Sequence, residues 1–336
     1  MAERVFLAAN NADLGGGEQM VVRTAAALVS LGRPVTVVAP DSPTDVLDAA
    51  AGVGADVVAI RADGRRDHLL RLRAWDRAER DGVLWCHGLV PALATAGHRR
   101  RLVHLHQLPR SPQQWAALRV ARTRSDRLLV PSTHLAGRVP GAEVLANWTD
   151  DVARRPRPAP SGRIGFLGRL SSDKGLDVLA RAVAAGDGTL VVGGDDRWVP
   201  DEQAAPVRAA LAALGERAEL LGRVAPVALL ERCDVVAFPS RVPESFGLVV
   251  AEAMAAGVPF VVSDAGAMPE VAGPDHPWVA RAGDVDDLAR VLALALHADA
   301  AVVRDVTDRA RARWEAEYSP EAGRSRVRRL LAELDR

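Results

Sequence analysis

The chain has 336 residues, of which 49% are hydrophobic and 26% charged, and its 43 basic side chains equal its 43 acidic ones. That length exceeds what one hydrophobic core ordinarily serves, so two domains are expected. No apolar run approaches the eighteen residues of a membrane span, and residues 1–7 lack the basic start and long apolar stretch of a secretory leader, so a cytoplasmic location is expected. Cys86 and Cys233, the only cysteines, lie too far apart for a disulfide framework, and no cysteine–histidine cluster has zinc spacing. No metal or other cofactor is expected.

Taken in chain order, residues 4–9 read as a strand and 10–17 as a loop. Residues 18–31 read as a helix with apolar positions at Val21, Val22, Ala25, Leu28 and Val29, stopped by Gly32 and Pro34. Strand-like runs recur at 35–39, 56–60, 83–87, 102–107, 127–131 and 144–147, separated by helical patterns, which implies βαβ units on a parallel sheet. A proline-rich stretch, 150–162, reads as a linker. The alternation then restarts, with strands at 163–167, 189–192, 219–221, 234–239, 259–263 and 278–280 and helices at 176–185 and 248–256. An amphipathic helix near 320–334 ends the chain. The predicted organisation is α/β: an N-terminal domain over 1–155, a second over 156–318, and a final helix, 319–336, packing back toward the first. Two doubly wound Rossmann-like domains would then face a central cleft, where such folds bind ligands at strand carboxyl ends.

The neutral total hides an uneven distribution. Residues 1–155 carry 21 arginines against 16 acids, a net of +5, and the remainder carries −5. Among 43 basic residues only Lys174 is a lysine. An arginine-biased composition that keeps one lysine suggests a place where a compact ammonium fits and a planar guanidinium does not. Its neighbours support that reading. In residues 165–176 a strand ends at Leu167, Gly168 allows close backbone approach, and a helix starts after Gly175, so Arg169 and Lys174 share one strand-to-helix loop. Two cations at a helix N-terminus suit a diphosphate; the competing reading is a surface loop with solvated cations.

A second constellation spans residues 239–254. Glu244 lies in the loop after a strand and Glu252 in the following helix, ~10–12 Å away if most of the interval is helical. The amides near Phe246, Gly247 and Leu248 would lie between them, at the positive end of the helix dipole. Glu252 interrupts an apolar run, which costs stability unless its carboxylate is hydrogen-bonded. Ribose hydroxyls would supply that, as would a buried arginine.

With these motifs the chain resembles glycosyltransferase family 4, retaining enzymes of the GT-B fold. The second half carries the resemblance through GRLSSDKG at 168–175, VVGGDD at 191–196, LLGRV at 220–224 and PSRVPESFGLVVAEAMAAGVPFVVSDAGAMPEVAG at 239–273, which holds a Glu-x7-Glu pair as Glu244 and Glu252. The first half carries it more thinly, through Gly15-Gly16-Gly17-Glu18, Trp85-Cys86-His87-Gly88, His104-Leu105-His106 and Asn147-Trp148-Thr149-Asp150. The resemblance implies sugar transfer from a nucleotide-diphosphate-sugar to a hydroxyl of a sugar, glycolipid or small-molecule acceptor, with no nucleic-acid partner. Arg169 and Lys174 would grip the diphosphate and neutralise the leaving group without a metal. Glu244 would hold donor-sugar hydroxyls and Glu252 the ribose, with the Phe246, Gly247 and Leu248 amides lining sugar and phosphates and the backbone at Arg223 and Val224 meeting the base. Gly16 and Gly17 would approach the diphosphate from the other domain, and His106 the donor sugar near the reaction centre.

Some positions depart from the family pattern: Gln107 stands where aspartate is common, Trp148-Thr149 where Gly-Val is usual, and Ala267 at a usual glycine. Gly193-Gly194-Asp195 likewise varies a commoner Gly-x-Gly arrangement. His104 and His106 fall on one strand face; His106 is taken as the functional one, with His104 left as a core residue and His87 of similar standing. The opening loop lacks G-x-G-x-x-G, which argues against a nicotinamide dehydrogenase. The alternatives that remain are a GT-B phosphorylase or nucleotide-sugar epimerase, and a non-catalytic two-lobed nucleotide- or sugar-binding protein. Arg65, Arg66, Arg71, Arg73, Arg77 and Arg80 accompany Leu69, Leu70, Leu72 and Trp75 on or beside one predicted helix. The first expectation there is leucines on the sheet and arginines in water; the second is peripheral contact with an anionic membrane surface.

Overall fold

The computed structural model describes residues 3–154 and 161–335. Residues 155–160 of the expected linker, with the 155/156 boundary, lie outside the described residues. The chain divides into two compact units, residues 1–148 with 320–336 and residues 149–319. The observed division falls at 148/149 for a local reason. In the first unit the Trp148 indole lies so close to Gly323 that a Cβ there would meet it at 2.3 Å. In the second, the Thr149 amide donates to the Tyr318 carbonyl (3.0 Å) and Trp314 Nε1 donates to the Thr149 hydroxyl (2.7 Å), tying the unit's beginning to its end.

The first unit is a seven-stranded parallel sheet: β1 (Val5–Ala8), β2 (Val35–Pro40), β3 (Asp56–Ile60), β4 (Val83–His87), β5 (Arg101–His104), β6 (Arg127–Val130) and β7 (Glu143–Val144). Their spatial order is β3-β2-β1-β4-β5-β6-β7. The second unit has six: β8 (Arg163–Leu167), β9 (Thr189–Gly193), β10 (Ala218–Gly222), β11 (Val235–Phe238), β12 (Phe260–Ser263) and β13 (Val279–Ala280), ordered β10-β9-β8-β11-β12-β13. Both are doubly wound and Rossmann-like. The central strands are buried on both faces, which is why they read as continuous apolar runs rather than alternating ones.

Each sheet reverses its winding once, between β1 and β4 in the first unit and between β8 and β11 in the second. The loops leaving those strands diverge there and leave a crevice at the strand carboxyl ends. One expected element is shorter than its pattern. The apolar run 102–107 pairs only to His104, so His106 lies beyond the strand, although the Leu105 amide still donates to the Leu129 carbonyl (2.9 Å). The terminal helix Pro320–Leu334 belongs to the first unit, where it packs on the helix Gly16–Ser30 through an apolar stripe that includes the buried Val327, Leu330 and Leu331. Among the described residues no helix is long and apolar enough to cross a membrane.

Candidate functional site

In the second unit, backbone bonds stitch the loops after β8, β9 and β10 together. The Gly168 amide donates to the Gly193 carbonyl (3.0 Å), Leu170 to Asp195 (3.0 Å) and Gly194 to Gly222 (2.7 Å). From this base Arg169 stands exposed, and Ser172–Lys174 form one tight helical turn. The turn ends at Gly175, whose φ of +72° is left-handed and whose missing Cβ would lie 1.9 Å from the Pro239 carbonyl oxygen. Only glycine lets the loop press so closely on the end of β11, and that contact delivers Lys174 to the loop carrying Glu244.

Lys174 Nζ donates to Glu244 Oε1 at 2.6 Å, and the Ser240 hydroxyl donates to the same oxygen at 2.6 Å. Ser240 is held in turn by the Ser263 hydroxyl, which donates to its carbonyl (2.6 Å). The Glu244 backbone lies against Gly266, where a Cβ would come within 2.3 Å of its amide nitrogen, and its carbonyl accepts from the Ala267 amide (2.9 Å). Burial by itself would raise the Glu244 carboxyl; the Lys174 ammonium, the bonds from Lys174 and Ser240, and the charge of Arg169 outweigh it and hold the group below the usual carboxylate range. Glu244 is therefore an ionised carboxylate held as an acceptor. Lys174 keeps two of its three hydrogens for another anion.

Gly247, at φ +97°, starts the helix Leu248–Ala256. Phe246 turns its ring inward, edge-on to Tyr318 (5.3 Å, 84°), so its backbone rather than its side chain is offered to a ligand. Glu252 is buried within the same helix. Arg223 and Val224 follow β10, two strands from β8; Arg223 is exposed with its Nε 3.9 Å from Asp195, and Val224 packs over Gly193. The structure thus joins Lys174 to Glu244 and places Arg169 within electrostatic reach of that carboxylate. Ser240, absent from the sequence-derived site, fixes Glu244; its one signal in the sequence is a hydroxyl four residues before a loop glutamate.

In the first unit, Gly16 and Gly17 open the helix Gly16–Ser30 after β1. A cavity of about 270 Å³ lies there, lined among others by Asn11, Gly17, Glu18, His87, His106 and Gln107. Asn11 donates to the Glu18 carboxylate (2.7 Å), yet burial still raises this carboxyl above its ordinary range. His87, at the end of β4, is the register partner of His104 in β5. His106 follows two residues later, and its Nε2 lies 2.9 Å from His87 Nδ1. The rings of His104 and His106 are 4.3 Å apart at their centres, and Trp85 stacks on His87 (5.5 Å). Burial pulls His87 and His104 well below the ordinary histidine value and His106 down to about 4, so all three rings are neutral at pH 7. Sequence reasoning singles out His106 and leaves His104 to the core. Spacing along the chain cannot assemble the trio, because cross-strand register brings His87 to it.

The chain matches the family model described as glycosyl transferases group 1 over residues 161–298, which covers the whole second-unit site. A GDP-mannose-dependent alpha-mannosyltransferase of Mycolicibacterium smegmatis is 33% identical over 178 residues, 48% of this chain and 45% of that protein. The chain thus matches less than half the length of that relative. Anabaena HepE, solved in complex with UDP-glucose, superposes over 98% of this chain and 100% of its own with a TM-score of 0.82 at 19% identity. Sucrose-phosphate synthase from Thermosynechococcus elongatus covers 99% of both chains with a TM-score of 0.81 at 19% identity. At that identity the likeness establishes the fold, two Rossmann-like domains of the GT-B type.

Proposed function

We propose that the chain is a retaining, metal-independent glycosyltransferase of family 4 that moves a sugar from a nucleotide-diphosphate-sugar to an acceptor hydroxyl in the cytoplasm. The observation that carries this reading is the Arg169–Lys174 loop meeting Glu244 across the β8–β11 switch point, beside the N-terminus of the helix Leu248–Ala256. Two cations and a helix end match a diphosphate, and a carboxylate held ionised beside them accepts hydrogen bonds from sugar hydroxyls. As the bond to the leaving phosphate lengthens, charge grows on the diphosphate, and Arg169 and Lys174 stabilise it there. Glu252 is assigned to the ribose, the Phe246, Gly247 and Leu248 amides to sugar and phosphates, and the Arg223 and Val224 backbone to the base. Gly16 and Gly17 are assigned to the diphosphate and His106 to the donor sugar.

Retention follows if the acceptor attacks on the face the diphosphate leaves, with a diphosphate oxygen taking its proton. Lys174 and Ser240 both bond Glu244 Oε1, which leaves Oε2 to accept from sugar hydroxyls, the role assigned to this carboxylate.

The test begins with donors. The names of the chain's relatives direct it first to GDP-mannose and UDP-glucose, compared by thermal stabilisation; a ligand at a hundred times its Kd adds ~2.7 kcal/mol. Release of nucleoside diphosphate that depends on an added hydroxyl acceptor, with retained anomeric configuration by NMR, is the expected result. Phosphate-dependent breakdown or acceptor-free epimerisation would assign a phosphorylase or an epimerase instead. Turnover is expected to survive EDTA; a magnesium-restorable loss would refute the side-chain neutralisation of the diphosphate.

A further inference from the structure

We propose that His87, His104 and His106 bind one divalent transition-metal ion of the zinc class. One ring nitrogen from each of the three lies within 4.8 Å of the others, at the carboxyl ends of two adjacent strands. A zinc ion bound at ~2.0–2.1 Å needs its ligand atoms somewhat closer than that, an adjustment within reach of side-chain rotation. Three imidazoles suit zinc, copper or nickel, not magnesium or calcium, which require oxygen.

The hydrogen-bond count points the same way. Three neutral rings bring six nitrogens, and the single bond between His87 Nδ1 and His106 Nε2 uses two. His87 Nε2, both nitrogens of His104 and His106 Nδ1 are buried without a hydrogen-bond partner. Each such group is destabilising when left without a partner. His87 and His106 line the cavity; His104 does not, and like His87 it is 1% exposed. An ion seated among the rings satisfies one nitrogen of each, His104 included.

The cavity leaves room for a water as fourth ligand. The remaining imidazole nitrogens lack the carboxylate or carbonyl acceptors that usually surround a structural zinc centre. The ion is accordingly exchangeable rather than permanent. Because His106 cannot present one nitrogen to both an ion and a substrate, zinc should also inhibit sugar transfer. That consequence rests on the transferase reading; metal binding does not.

The test uses the 336-residue chain without a histidine tag, stripped of metal and titrated with Co²⁺. The expected result is one Co²⁺ per chain with the intense visible absorption of four-coordinate nitrogen ligation, displaced by Zn²⁺. His104→Gln and His87→Gln should each weaken binding by more than the ~10–100-fold that loss of an outer-shell partner costs. Zn²⁺ should raise the Tm of the wild type and leave that of His104→Gln unmoved. The wild-type spectrum decides the matter even if a variant fails to fold: no binding, or only the pale absorption of six-coordinate Co²⁺, would overturn the site. Unchanged bands in folded His104→Gln would place the ion on surface histidines and overturn it equally. Zinc binding with undiminished turnover would leave the site standing and remove His106 from the reaction.

Discussion

In the second unit, the strand ends flanking the β8–β11 switch carry an ammonium and a hydroxyl, each 2.6 Å from one oxygen of Glu244. The strand ends near the β1–β4 switch of the first unit carry three neutral imidazoles and a carboxyl whose pKa burial raises. The topology is the same and the electrostatics are opposite. One crevice pairs an ammonium with a carboxylate; the other gathers neutral groups and leaves ring nitrogens without partners. A doubly wound sheet therefore fixes where a ligand goes and leaves its chemistry to a few loop residues.

The largest effect should come from breaking the charged side. Lys174→Ala and Arg169→Ala should each lower kcat about 10²–10³-fold, the usual loss when one preorganised donor to a developing anion is removed. Circular dichroism should change little in either variant, and Tm little in Arg169→Ala because Arg169 is exposed; Lys174→Ala should lose Tm, since it leaves the Glu244 carboxylate without its ion pair. Lys174→Arg should be nearly as poor, although 42 arginines occur elsewhere in the chain, because a planar guanidinium does not fit the short approach to Glu244 Oε1. Near-normal turnover in Lys174→Arg would show that the crevice needs only charge, not a compact one.

This asymmetry also explains what is legible in the sequence. The charged crevice is assembled within two short segments, 165–176 and 239–254, so residue type and spacing alone draw attention to Arg169, Lys174 and Glu244, which the structure brings near one another. The strands are legible for a related reason: parallel strands buried on both faces are continuous apolar runs. The imidazole crevice is assembled across the sheet. His87 and His104 are seventeen positions apart and meet only because β4 and β5 pair in that register, which no local pattern encodes. Family resemblance finds His106, but the run 102–107 implies a strand where the chain has already left the ladder.

A smaller effect separates the two carboxyls. Glu244, held low, contributes stability that is present above its ordinary pKa of 4.5 and lost as pH falls below it. Glu244→Gln should thus be less stable at pH 7, by about 1–3 kcal/mol for the lost charge-assisted bonds, and flatter in stability below pH 4.5. Glu18 has the opposite sign: its raised pKa means that the neutral form is favoured, so stability is lost as pH climbs from 4.5 through the folded value. Glu18→Gln keeps the oxygen that accepts from Asn11 and should raise Tm at pH 7, on the order of 2–4 °C per kcal/mol gained. The increment should vanish near pH 4. Denaturation followed across pH for both variants checks the pair, and equal signs would end the contrast between the crevices.

The smallest effect concerns the surface of the first unit, where the sequence of the helix Arg65–Ala78 admits two readings. Its Leu72 and Trp75 are buried against the sheet, and of its leucines Leu70, 68% exposed, points outward. Most of the arginines are already engaged within the unit. Arg71 pairs with Asp67 (2.7 Å), Arg73 donates to the Ala94 and Ala96 carbonyls (3.0 and 3.2 Å), and Arg80 pairs with Asp76 (2.5 Å). An interfacial helix needs an apolar stripe free to enter lipid, and one leucine is too little. What remains is weak attraction between basic side chains and anionic headgroups, screened beyond ~8 Å at physiological ionic strength. Sedimentation with anionic vesicles should therefore show slight binding at low salt, none at physiological salt, and no change in Leu70→Ser. Salt-resistant binding that falls in Leu70→Ser would mean that the helix enters the lipid, and would make a lipid-linked acceptor the first substrate class to test.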